Sequence, residues 1–195
     1  MTSGAQPRFF VDVGSPYAWL AAERVARGEL GADVVWEPVL LGAIFAARGF
    51  GSWSLTQARA EGIEEVERRA SAYGLGPVRW PEPWPGNYLL AMRAATAAAQ
   101  VGRARDFLLA ALRAGFVEGR DLSAPAAVTD AASAAGLEGD ALLAAASTPA
   151  VKAALKERTD AAIALGVRGV PTVVVGSESY WGDDRLEDAA RSLRI

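Results

Sequence analysis

The first apolar run of the chain, Phe9-Phe10-Val11-Asp12-Val13, is short, rich in strand-forming side chains and stops abruptly at Gly14. It reads as a buried strand over residues 8–13. Ser15-Pro16 then opens a segment in which Trp19, Leu20, Ala22 and Val25 recur at helical spacing. That pattern predicts a helix over 16–28, with Ser15 as its N-cap and Pro16 at the first helical position. Residues 32–38 read as a second strand, stopped by Pro38. A β-α-β order implies parallel strands joined by a right-handed crossover.

From Leu40 to about Ser147 the pattern turns to alanine, leucine and arginine at helical spacing, with breaks at Gly49-Phe50-Gly51, 74–87, Gly115 and Pro125. Helices are predicted over Leu55–Tyr73, Tyr88–Ala114 and Ser123–Ala135, with alanine supplying strong propensity. Thr148-Pro149 opens another helix running to Leu165 and ended by Gly166. Thr172–Gly176 and Ser179–Trp181 read as two strands of a hairpin, and 184–193 as a final helix capped by Asp183. The order βαβ, helical block, αββα is that of an α/β protein with a thioredoxin-like core and an all-helical insertion. The expected boundaries are 1–39 with 148–195 for the core and 40–147 for the insertion.

Composition narrows the chemistry sharply. Half of the 195 residues are apolar, enough for a substantial core, and the chain has neither cysteine nor histidine. Disulfides, thiol catalysis, the usual structural zinc sites and every imidazole-dependent mechanism are thereby excluded, and no metal site is expected. A redox enzyme of this shape would carry cysteine at Ser15, so dithiol exchange is excluded too. The net charge of −3 gives no support for a nucleic-acid partner. No signal pattern precedes Asp12 and no apolar run reaches the ~18 residues of a membrane span, so the expected location is the cytoplasm, with no membrane partner.

Three short motifs fall where a thioredoxin-like core brings its loops to one edge. Gly14-Ser15-Pro16-Tyr17 places a hydroxyl at the positive end of a helix, where an anion or a ligand thiolate would be stabilised. An ordinary N-cap, worth about 1 kcal/mol, explains the same residues. In Gly166-Val167-Arg168-Gly169-Val170-Pro171-Thr172, a cis bond before Pro171 would turn the Val170 backbone outward. An extended peptide could then dock there as an added strand, its thiol over Ser15; a trans proline opening a strand is the plain alternative. In Trp181-Gly182-Asp183-Asp184-Arg185-Leu186, the cap amides would take a ligand carboxylate and Asp184 a ligand ammonium. A γ-glutamyl group carries both; Asp183 as a simple helix cap is the other account.

Taken together these stretches resemble the 2-hydroxychromene-2-carboxylate isomerases and kappa-class glutathione transferases, which share the DsbA-like thioredoxin fold. The resemblance also takes in Pro38-Val39-Leu40-Leu41-Gly42-Ala43-Ile44-Phe45 and Trp84-Pro85-Gly86-Asn87-Tyr88, and so covers nearly the whole chain in order. It implies glutathione as cofactor, held by Ser15, Pro16, Tyr17, Val170, Pro171, Asp183 and Asp184, with Ser15 as the catalytic donor to sulfur. It implies a small aromatic substrate between core and insertion, with Trp53, Trp80, Trp84 and Tyr88 as walls and Arg48 or Arg59 holding a carboxylate. The isomerase branch adds thiolate to an unsaturated ketoacid, lets the adduct rotate and expels glutathione; the transferase branch keeps it on the product. A non-catalytic thioredoxin-like binding protein is the reading of another class. Family members are commonly dimers, so a homodimer is expected. The family often has an asparagine where Phe50 falls, and a lysine and a tyrosine within the stretch matching Gln57–Glu65, which here offers Arg59 and no tyrosine. Which residues hold the glycyl end of the peptide is therefore open.

Overall fold

A computed structural model of the chain describes residues 6–194; the outermost positions of the expected core unit, 1–5 and Ile195, lie outside them. Strand β1 (Arg8–Val11) is the centre of the molecule, with Phe9, Phe10 and Val11 fully buried. It pairs in parallel with β2 (Val35–Pro38), Phe9 opposite Trp36, and the two rings meet edge-on at 4.9 Å. Pro38 is tolerated at the end of β2 because β2 is an edge strand, and Val39 N just beyond it still donates to the Val11 carbonyl at 3.1 Å. On the other side of β1 lies β3 (Thr172–Val175), antiparallel, followed by β4 (Glu178–Trp181) in the predicted hairpin. The strand order is β2-β1-β3-β4. Helix α1 (Pro16–Ala26) crosses from β1 to β2 and buries Trp19, Leu20, Ala21 and Ala22. The expected βαβ…αββα core is what forms.

The insertion is divided more finely than its periodicity suggested. It consists of α2 (Leu41–Arg48), a 3-10 turn at Trp53–Leu55, α3 (Arg59–Ala72), α4 (Leu89–Gln100), α5 (Ala104–Phe116), α6 (Pro125–Ala134) and α7 (Gly139–Ala146). The single helix expected over Tyr88–Ala114 is two helices packed on each other. Gly102 takes a φ of 74° between them, the left-handed conformation that ends helices, and uniform alanine propensity hid that stop. The helix expected from Leu55 begins at Arg59, because Ser52 caps the preceding turn by accepting from Ser54 N. Four alanines of α4 (Ala91, Ala94, Ala95 and Ala98) are fully buried, and α4 lies against α5, α7 and β2. Side chains this small let helices approach closely.

The chain returns to the core through α8 (Pro149–Ala164), capped by Thr148, whose hydroxyl accepts from Val151 N. After β4, a 3-10 turn at Asp183–Arg185 leads into α9 (Leu186–Ser192). The expected capping of this helix by the Asp183 side chain does not occur. The carboxylate is turned inward, where Arg69 and Tyr73 donate to it. No helix among the described residues is long and apolar enough to cross a membrane, and no cluster of His, Cys, Asp or Glu among them is arranged to hold a metal ion.

Candidate functional site

At the amino end of α1 the Ser15 backbone is extended (φ −97°, ψ 116°), and its Oγ accepts from Ala18 N at 3.2 Å. The same hydroxyl donates to the Val170 carbonyl at 3.4 Å, across 155 residues of sequence. The Val170-Pro171 bond is cis, and the Pro171 carbonyl accepts from Gly182 N at 2.9 Å. These two hydrogen bonds tie the three sequence motifs to one point. Ser15, Val170 and Asp183 are all buried at the floor of a cleft of about 770 Å³. Pro16, Tyr17, Pro171 and Asp184 line the same cleft.

The opposite wall comes from the insertion. Trp53, Trp84 and Tyr88 line it, as the sequence suggested. Tyr17, Trp53, Trp84 and Trp80 form a chain of rings with centroids 6.0, 5.4 and 4.6 Å apart. Trp84 Nε1 donates to the Gly14 carbonyl, fastening this wall to the Ser15 loop. Gly14 is glycine because the Tyr88 ring lies against it: a Cβ there would sit 2.6 Å from Tyr88 Cδ2. Trp80 lies behind the wall, bonded to Glu67 and packed on Phe116.

The arginines are placed differently from expectation. Arg48 is off the cleft: its guanidinium donates to the Ile163 and Val167 carbonyls and so closes the carboxyl end of α8. A structural demand for donors at a helix end, invisible in local sequence, takes this side chain away from the cleft. Arg59 also stands behind the wall, over the Trp84 ring at 5.1 Å and within reach of the Ser54 carbonyl. The arginine that does line the cleft is Arg69 of α3, which sequence reasoning did not single out. It donates to Glu65 and Asp183, reaches Asp184 Oδ2 at 3.6 Å and lies over the Tyr17 ring. Its position in a charged amphipathic helix gave no local signal.

Asp12 is the second residue that was missed. Its carboxyl is buried on the cleft wall, one oxygen accepting from Gly14 N and the other from Leu41 N, both at 2.8 Å. It thus pins the Ser15 loop to the start of α2. Burial raises its pKa from the ordinary 3.8, opposed by the two amides. An acid whose folded pKa is raised favours the folded state below its ordinary pKa, and that advantage is lost as pH rises through the folded value. Asp12→Asn removes this titration and turns one amide donor against another, a loss of about 1–2 kcal/mol. The variant is therefore expected to unfold below the wild-type temperature at pH 4. The deficit should shrink toward neutral pH in parallel thermal melts.

The phenols of the site stay protonated at neutral pH. Burial, then the nearby Asp183, pushes Tyr73 up to about 12. Burial pushes Tyr88 up to about 12 as well and also raises Tyr17, the latter against the charge of Arg69. Each can donate a hydrogen bond; none supplies a base.

A family model, the DSBA-like thioredoxin domain, matches residues 8–194. The chain belongs to that family. Among solved structures, this DSBA-like domain is similar to a 2-hydroxychromene-2-carboxylate isomerase, at 24% identity and a TM-score of 0.84, covering 96% of this chain and 94% of that one. It is similar to a probable DsbA oxidoreductase from Streptomyces coelicolor, at 21% identity and a TM-score of 0.73, over 96% and 88% of the two chains. It also matches the cytosolic disulfide reductase DsbM from Pseudomonas aeruginosa solved with GSH, at 18% identity and a TM-score of 0.65, over 97% and 100%. No curated protein matches the chain significantly. At these identities the likeness speaks for the fold, and the chemistry must be argued from the site. A DSBA-like domain without cysteine cannot itself carry a disulfide.

Proposed function

We propose that the chain is a glutathione-dependent cis-trans isomerase of the 2-hydroxychromene-2-carboxylate type, acting in aromatic-compound degradation. The observation that carries this reading is the Ser15 Oγ contact to the Val170 carbonyl. It brings a hydroxyl at a helix N-terminus within one residue's reach of a free peptide edge. A cysteinyl residue paired to Val170 would present its N–H to that carbonyl, releasing the Ser15 proton to point at sulfur.

A free thiol ionises near 8.5, and lowering this by about two units takes roughly 2.7 kcal/mol. One charge-assisted hydrogen bond and the amino end of α1 are together of that size. The γ-glutamyl end would meet the exposed Asp184 carboxylate and the leading amides of the 183–185 turn. Asp183 contributes its backbone, since its carboxylate is taken by Arg69 and Tyr73. An aromatic substrate would lie between Tyr17, Trp53, Trp84 and Tyr88, with the thiolate below it.

The reaction balances without any other reagent. Thiolate forms a C–S bond to the unsaturated carbon while the carbon–carbon π electrons move toward the ketone oxygen. Rotation follows about the bond that has become single. The electrons then return, the C–S bond breaks, and thiolate leaves unchanged. The test is turnover of 2-hydroxychromene-2-carboxylate with and without glutathione. Glutathione-dependent equilibration with no net consumption of thiol is expected. Consumption of glutathione would make the protein a transferase, turnover that does not need glutathione would remove the thiolate mechanism, and absent turnover would remove the isomerase assignment.

A further inference from the structure

Beside the cleft stands a cation that has no carboxylate and no hydrogen-bond partner among the described residues. Arg168 is exposed, and its guanidinium carbon lies 5.6 Å from the centroids of both the Phe50 and the Trp181 rings. Among the described residues no Asp or Glu forms an ion pair with it, whereas Arg24, Arg69 and Arg113 each have at least one. Two rings hold this side chain in place by cation–π attraction, leaving its N–H donors unspent. The clamp joins the two walls, Phe50 following α2 in the insertion and Trp181 closing β4. Trp181 itself lies on the backbone of Gly169, where a Cβ would come within 2.7 Å of Nε1. Rings, glycine and cation thus form one rigid rim immediately before Val170.

Charge then fixes how a peptide would lie on that edge. Pro171 is bonded to Gly182, so the side of Val170 toward Pro171 faces the acidic turn. The side toward Gly169 faces Arg168. A γ-glutamyl-cysteinyl-glycine chain running antiparallel to residues 168–171 puts its ammonium at Asp184 and its terminal carboxylate at Arg168. The parallel direction sets like charge against like at both ends. We infer that Arg168, clamped between Phe50 and Trp181, holds the glycyl carboxylate of glutathione.

This subsite rests on the glutathione reading above, and the experiment separates the two. Binding of glutathione and of its glycyl monoethyl ester, which lacks the terminal charge, is measured by calorimetry for wild type, R168A and R168K at low ionic strength. Wild type is expected to bind the free acid roughly tenfold more tightly than the ester. R168A should bind both alike, at the ester's affinity, which also shows that it is folded. R168K should keep part of the preference. Equal affinities in wild type, or a preference that survives in R168A, would overturn the subsite while leaving the glutathione reading intact. Failure of wild type to bind either ligand would overturn both.

Discussion

Ser15→Ala should lower kcat/KM for the isomerisation by about tenfold while leaving the dissociation constant of glutathione within a few-fold. The hydroxyl caps the amino end of α1, and it is buried, so water cannot readily replace it. Removing it leaves the helix terminus as the remaining stabiliser of the thiolate, so the variant loses the hydrogen bond's share of the two-unit shift, about one unit or 1.4 kcal/mol. The sign is set by the ionised thiol being the reactive form: the rate rises with pH through the pKa of bound glutathione. In wild type that rise should lie below neutrality. In the variant it should move up toward 8.5, the value of a free thiol, so that activity recovers at alkaline pH. Peptide binding is largely retained because the Val170 edge and the acidic turn are untouched. The lost cap costs stability of about 1 kcal/mol, which thermal melts would register separately. A variant with the wild-type pH profile would remove Ser15 from the chemistry and leave it as a cap alone.

The parts of the site that depend on local backbone were legible in the sequence. Gly14-Ser15-Pro16 spells a strand-to-helix turn by itself and Thr172–Trp181 spells a hairpin, but an ordinary N-cap and a trans proline explain the same residues, and only the family resemblance marked Ser15 and Val170 as a site. The aromatic wall was expected only through the family resemblance, because Trp80-Pro81-Glu82-Pro83-Trp84-Pro85 by itself reads equally well as a rigid packed loop. The arginines were not legible. Whether a guanidinium faces substrate, a helix end or a carboxylate depends on what the fold brings within a few ångströms, and Arg48 meets carbonyls 115 and 119 residues away. Arg69 meets Asp183 across 114 residues. Asp12 was hidden for the same reason: its role is to join Gly14 to Leu41, a contact made only when α2 docks. Gly102 shows the opposite failure, a local signal present but outweighed by a run of alanines on both sides.

Asp183→Ala should be the most destabilising substitution in the acidic turn, whereas Asp184→Ala should hardly alter stability. The two neighbours look interchangeable in sequence, but Asp183 is 1% exposed and Asp184 is open to solvent. Asp183 accepts from Arg69 at 2.8 Å and from the Tyr73 hydroxyl at 2.9 Å, while its backbone carbonyl accepts from the buried Arg24. Truncation leaves Arg69 and Tyr73 aimed at an empty space. Breaking a buried pair costs about 3–5 kcal/mol, and Arg69 keeps Glu65 and Asp184, so about 3 kcal/mol is expected. For a chain of this size that lowers the melting temperature by roughly 6–12 °C. A second readout reports the lost charge directly. Asp183 is one of the influences, after burial, that hold the Tyr73 phenol up at about 12, so its removal should bring that pKa down in an ultraviolet phenolate titration. Asp184→Ala should melt within about 0.5 kcal/mol of wild type, as exposed substitutions do, yet bind glutathione more weakly by losing the partner of the γ-glutamyl ammonium. Were Asp183→Ala to keep wild-type stability and lose only binding, its carboxylate would be a ligand group after all, and the inward ion pair would not be what holds the turn against α3.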